Sequence, residues 1–165
     1  MSKAAYQFND FLGFLGEVAN EHTDFAIDIH EKLMKMGCKV KISATKAYPY
    51  QLAYTMPNSR KGILNFYLRK KGLKMRVTII DPENHQDLLN RLPEKMVAQI
   101  EKKNVCRKLT EGCECLETCI GYDFRIGETH HQKCRFDGFK FDVDAESIPF
   151  LFELLESEIK CRKDI

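Results

Sequence analysis

The sequence predicts an α+β protein in which antiparallel sheet is flanked by N- and C-terminal helices, with a cysteine-rich metal knuckle in the C-terminal half. Three observations predict it. Apolar residues recur at helical spacing near both ends of the chain, the period switches to alternation between Lys39 and Ile80, and five of the seven cysteines fall between Cys106 and Cys134. The chain has 165 residues, 44% hydrophobic and 30% charged, a balance that excludes a disordered, collagenous or coiled-coil protein.

Phe11, Phe14, Leu15 and Val18 mark a first helix with Asn9 as its N-cap, and Phe25, Ala26, Ile29, Leu33 and Met36 continue the stripe until Gly37. The spacing predicts one long bent helix or two helices meeting near Glu21–Thr23. Four strands follow as an antiparallel meander: Lys39–Ser43, Gln51–Met56, Gly62–Lys70 and Leu73–Ile80, the last two joined as a hairpin. Within that hairpin Leu64, Phe66 and Leu68 face the core with Met75, Val77 and Ile79, and Asn65, Tyr67, Arg69, Lys74, Arg76 and Thr78 take the other face. Asp81-Pro82 ends the sheet, and helices are expected over about Asn84–Leu92 and from Pro93 to about Lys103. Short strands follow at Tyr122–Ile126, Thr129–Cys134 and Phe139–Val143, and a final helix carries Ile148, Leu151, Leu155 and Ile159. One domain over 1–165 is the expectation, with sub-domains 1–82 and 83–165 on either side of a softer boundary near Asp81–Asn84.

The formal net charge of +2 hides a block. Between Lys35 and Arg76 the chain has eleven Lys and Arg and no Asp or Glu. Such a block raises the local potential for an anionic partner, or is neutralised by acidic residues folded against it. On the outer face of the first sheet Tyr48, Tyr50, Tyr54 and Tyr67 interleave with Lys46, Arg60, Arg69, Lys74 and Arg76. That mixture stacks on bases and contacts phosphates. The anionic-ligand residues expected are Lys46, Arg60, Tyr67, Arg69, Lys74 and Arg76, with nucleic acid or another polyanion as partner.

The cysteine segment reads C-x6-C-x-C-x3-C-x14-C. The N-terminus shows no apolar signal region and no run is long enough for a membrane span, so a cytoplasmic protein with reduced thiols is expected. There, clustered thiolates suit a tetrahedral structural zinc held by Cys106, Cys115, Cys119 and Cys134, with Cys113 as substitute. Cys115 and Cys119 would share a face of one helical turn. An iron–sulfur cluster or redox-active thiols are the alternatives. Cys38 and Cys161 lie apart, and His22, His30 and His85 read as surface residues. No phosphate-cradling loop, dinucleotide fingerprint, zinc-protease helix or nucleophile elbow is present. The balance favours binding over catalysis. The competing class is a small metalloenzyme or thiol-redox enzyme built on the cysteines, with Asp123, Glu114 or Glu117 as its acid or base.

Gly121-Tyr122-Asp123-Phe124 followed by Gln132-Lys133-Cys134-Arg135 resembles a pattern found in small uncharacterised bacterial proteins, which end in a helix like Ile148–Ile159. The resemblance covers the chain from Cys106 onward and implies no activity.

Overall fold

The computed structural model describes residues 7–57, 59 and 61–163. It is α+β, with a five-stranded antiparallel sheet, a separate two-stranded sheet, and helices near both ends. The chain forms two compact units. One comprises 1–76 with 142–144, the other 77–141 with 145–165. The division falls inside the last strand of the meander, at Arg76/Val77, and not in the Asp81–Asn84 turn.

In the first unit, α1 (Phe8–Ala19) and α2 (Thr23–Lys35) are separated by one 3₁₀ turn, Asn20–His22, so two helices form where the spacing allowed one bent helix. The cap of α1 is Gln7, whose N–H donates to Asp10 Oδ2 at 2.9 Å; Asn9, the expected cap, lies inside the first turn. Helix α2 stops where the stripe does. Gly37, at φ +86°, donates to Met34 O, and Cys38 donates back to Leu33 O, a termination that needs a left-handed residue and so suits glycine.

Strands β1 (Lys39–Ser43), β2 (Tyr50–Thr55), β3 (Gly62–Arg69) and β4 (Gly72–Val77) run as the expected meander. The register pairs Lys41 with Ala53 and Ala53 with Asn65, and a bulge at Tyr54/Thr55 absorbs the offset at the far end. Alternation then sends Leu52, Tyr54, Leu64, Phe66, Leu68 and Met75 inward, each fully buried. Phe66 is the centre of this core, with ring centroids 6.0 Å from Phe11, 6.3 Å from Phe25 and 6.3 Å from Tyr54. A fifth strand, β7 (Lys140–Asp142), adds to the β4 edge. The sequence placed that strand with the two before it; its pairing with β4 depends on a contact between distant segments that no local pattern encodes.

In the second unit a 3₁₀ turn, Pro82–His85, leads into α3 (Gln86–Asn90), followed by α4 (Glu94–Glu101) and α5 (Arg107–Glu111). Asp81 starts the turn by accepting Glu83 N–H at 3.0 Å. Strands β5 (Tyr122–Ile126) and β6 (Thr129–Lys133) pair as a hairpin with Asp123 opposite Gln132, and α6 (Ile148–Lys163) closes the chain. Tyr122, Phe139, Leu151 and Leu155 are fully buried, with Tyr122 and Phe139 packed edge to face at 4.9 Å. Among the described residues no helix is long and apolar enough to cross a membrane.

Removing the Phe66 ring leaves a cavity bounded by three other aromatic rings. Phe66→Ala is expected to lower the unfolding free energy by about 3–5 kcal/mol, measured by urea denaturation, with no change in m-value.

Candidate functional site

The basic face is assembled by the register of β1 to β4. Lys41, Ala53 and Asn65 lie in one row across the sheet, and Arg76 extends the row by donating to Asn65 Oδ1 at 2.8 Å. Arg76 also sits over the Tyr67 ring, 5.8 Å from its centroid. Tyr67 lies 5.0 Å from Tyr48, whose other neighbour is the Arg69 guanidinium at 4.5 Å. The result is a stack running Arg69, Tyr48, Tyr67, Arg76. Tyr48 reaches it from the 44–49 loop, where Thr45 N–H donates to Tyr48 O at 2.9 Å and Tyr48 N–H donates to Thr45 Oγ1 at 3.0 Å.

Burial sorts these residues. Tyr67 is 6% exposed, so its ring serves as the middle of the stack and not as an open platform for a base. Its hydroxyl is pushed above the ordinary phenol range, chiefly by burial, against the pull of the Arg76 charge. Lys74 meets Asp142 at 3.3 Å. Arg69, Lys39, Lys41 and Lys46 are exposed. Arg60 lies outside the described residues. Tyr50 and Tyr54 belong to the opposite face, against the helices. Tyr54 is fully buried and shares a hydrogen bond of 2.8 Å with His30 Nδ1, and Tyr50 packs on Phe11 and Phe14. Strand parity separates them from Tyr67: the register sets Gln51, not Tyr50, opposite Tyr67.

The cysteines are arranged differently from the expected knuckle. Helix α5 ends at Gly112, in the left-handed region at φ +67°, so Cys113, Cys115 and Cys119 occupy an irregular loop and share no helical turn. Lys108 Nζ pins this loop by donating to Leu116 O at 3.1 Å and Cys119 O at 2.7 Å. Cys115 is exposed and Cys106 is buried. Val105 bridges Lys133, with Cys106 N–H donating to Gln132 O and Cys134 N–H to Asn104 O. Cys106 and Cys134 therefore stand on the same side of that ladder, one diagonal step apart. Gly121 passes so close to the Cys106 thiol that a Cβ there would lie 2.7 Å from Sγ. None of the seven cysteines is in a disulfide, and among the described residues no group of three or more His, Cys, Asp or Glu side chains is placed to hold a metal.

Other marked residues have structural work. Lys133 is buried and donates to Glu101 O at 3.0 Å and Lys103 O at 3.1 Å, capping α4. Arg135 lies over Tyr122 and donates to Ile79 O at 3.1 Å. Asp123 accepts from His130 at 2.5 Å and from Gln132 at 3.1 Å, and the His130 bond holds its carboxyl below the ordinary range. Glu114 and Glu117 are exposed.

One constellation lies outside every expectation from the sequence. His85 is 2% exposed, not a surface residue, with Nδ1 2.9 Å from Ser157 Oγ and Nε2 2.8 Å from Glu158 Oε2. The only local signal for it is Glu158 itself, a carboxylate in the apolar register of the last helix, three residues after Leu155. The fold and these sites define a two-unit α+β protein with a basic sheet face. No family model, curated protein or solved structure matches the chain.

Two histidines give the structure an acid limit. Burial holds His30 and His131 below the ordinary imidazole range, His131 with a further push from Lys133. The unfolded chain takes up these protons first, so stability is complete above about pH 6.5 and falls as the pH drops below it. The urea midpoint is expected to decline between pH 7 and pH 5, and His30→Phe combined with His131→Phe to flatten that decline.

Proposed function

We propose that this protein is a cytoplasmic binding module for a polyanion, nucleic acid first, held on the face of its five-stranded sheet. The observation that carries the reading is the Arg69–Tyr48–Tyr67–Arg76 stack, which fixes guanidinium groups on the face that also carries the exposed Lys39 and Lys41, with the exposed Lys46 two residues before Tyr48 in the loop. An arginine laid on an aromatic ring loses less freedom when it meets a phosphate than one waving in solvent. Arg76 is tied to Asn65 and Tyr67 is buried, so Arg69 and the exposed lysines make the phosphate contacts, and Tyr67 and Arg76 position them. Lys74, paired with Asp142, contributes less.

Arg69→Glu with Lys41→Glu is expected to elute earlier from heparin. It also lowers the salt slope of single-stranded oligonucleotide binding by roughly 0.7 for each phosphate that the variant no longer neutralises. An unchanged slope removes the sheet face from consideration.

A second reading retains the structural zinc on Cys106, Cys115, Cys119 and Cys134. It is favoured by Cys106 and Cys134 sharing one side of a ladder, with the chain at Gly121 drawn against the Cys106 thiol. The loop at 112–121 would have to turn Cys115 inward. On this reading the purified protein carries about one zinc per chain and is colourless, which separates zinc from an iron–sulfur cluster. Cys106→Ser or Cys134→Ser then abolishes metal retention.

A further inference from the structure

Ser157, His85 and Glu158 have the connectivity of a nucleophile, a base and an orienting carboxylate. Ser157 and Glu158 are neighbours on α6, about 100° apart around the helix, and the His85 ring lies between them with one nitrogen on each. Glu158 has no exposure. Its Oε1 accepts Ile80 N–H at 3.0 Å and Arg162 Nε–H at 2.9 Å, so its oxygens act as acceptors, and the partner they require on His85 is an Nε2–H donor. That tautomer leaves Nδ1 of a neutral ring with its lone pair toward Ser157. The Ser157 O–H then donates to Nδ1, the arrangement in which a hydroxyl can be deprotonated as it attacks.

A cleft of about 420 Å³, within the size range of small-molecule sites, has Ser157 and His85 among its lining residues, and because the His85 side chain itself has no exposure, Ser157 stands between the imidazole and the cleft. Ser157 is half-buried, at the boundary between the buried base and the open cleft. The remaining wall is polar apart from Leu88. Glu83, Asp87 and Glu153 oppose the single guanidinium of Arg91, which is already paired with Glu153. Three carboxylates against one arginine repel anionic substrates and favour neutral or cationic ones. Arg91 directs two of its five N–H donors to Glu153, leaving donors for a developing oxyanion.

We propose that Ser157, His85 and Glu158 hydrolyse small polar esters that are neutral or positively charged. Ser157 Oγ forms a bond to the ester carbonyl carbon while its proton passes to His85 Nδ1. The tetrahedral adduct breaks its bond to the alcohol oxygen, which leaves with the proton from His85. Water then adds to the acyl-serine, gives its proton to Nδ1, and the carboxylic acid departs as the proton returns to Ser157 Oγ. Glu158 stays an anion throughout, orienting the ring and stabilising the imidazolium.

The test uses the intact chain, a fluorophosphonate probe and 4-nitrophenyl acetate. The expected results are labelling of Ser157, located by peptide mass spectrometry, and esterase turnover that Ser157→Ala lowers by at least about 100-fold while far-UV and thermal unfolding profiles stay unchanged. Lysine methyl ester should turn over faster than methyl hydrogen succinate, and Glu83→Lys with Asp87→Lys should reverse that order. His85→Gln, which keeps a side-chain amide between the two partners, should lose labelling and still fold. Absence of labelling in folded wild-type protein, or turnover that Ser157→Ala leaves intact, overturns the proposal and leaves the three residues as a structural clamp.

Discussion

A stretch of backbone that leaves a sheet while still partly buried must find hydrogen bonds from side chains, and residues 78–80, with Ile79 buried at their centre, are that stretch. They follow β4 without belonging to a ladder. Tyr122 answers Ile79 twice, its hydroxyl accepting the N–H at 3.1 Å and donating to the carbonyl at 2.8 Å. Arg135 adds a second donor to that carbonyl, Arg162 donates to Thr78 O at 2.6 Å, and Glu158 accepts Ile80 N–H. Side chains from β5, from the turn after β6 and from α6 thus converge on three residues. The two Tyr122 bonds are buried, and omitting either would strand a polar group at a cost of about 1–3 kcal/mol; those from Arg135, Arg162 and Glu158 are part-buried. The elements of the C-terminal unit are fixed in place by this demand as much as by the apolar contacts of Tyr122, Phe139 and Leu155.

The same demand explains the orientation of His85. Glu158 is needed at Ile80, yet an unexposed carboxylate survives only when it is paired and both oxygens are hydrogen-bonded. Arg162 takes one side and the imidazole the other. Once Nε2 is committed to the carboxylate, ring geometry directs Nδ1 to Ser157, the preceding residue of α6. The Ser157 contact therefore follows from a structural requirement, and the chemistry proposed for it needs only the cleft in addition.

Most of the elements could be read from the residues, because hydrophobic period and glycine placement are local properties. The meander and the Tyr122–Lys133 hairpin follow from alternation, and Gly37 ends α2 as its position implies; β3 departs from it, being buried on both faces from Ile63 to Leu68. Two kinds of information were not local. Tyr50 and Tyr54 have the composition of the outer face but the parity of the inner one, and the register that settles parity is fixed by partners on β1 and β3. The joining of β7 to β4, and of Ser157 to His85, links segments more than sixty residues apart, which spacing cannot reveal. The cysteine segment differs from its reading in one respect: Gly112 ends α5 before the turn that would have aligned Cys115 with Cys119, and Lys108 holds the loop by its carbonyls.

Charge on the basic face is divided by geometry in a way that composition conceals. Of the block between Lys35 and Arg76, Lys74 is met by Asp142 and Arg76 by Asn65 and Tyr67, so these are held in the structure. Arg69, Lys39, Lys41 and Lys46 stay exposed. With a total of only +2, the protein has little field beyond a Debye length of about 8 Å at physiological salt. Long-range steering is correspondingly weak. In the binding proposed for this face, attraction to an anion therefore arises at contact, and holding Arg69 on Tyr48 favours such a contact because the cost of ordering the arginine is met in folding.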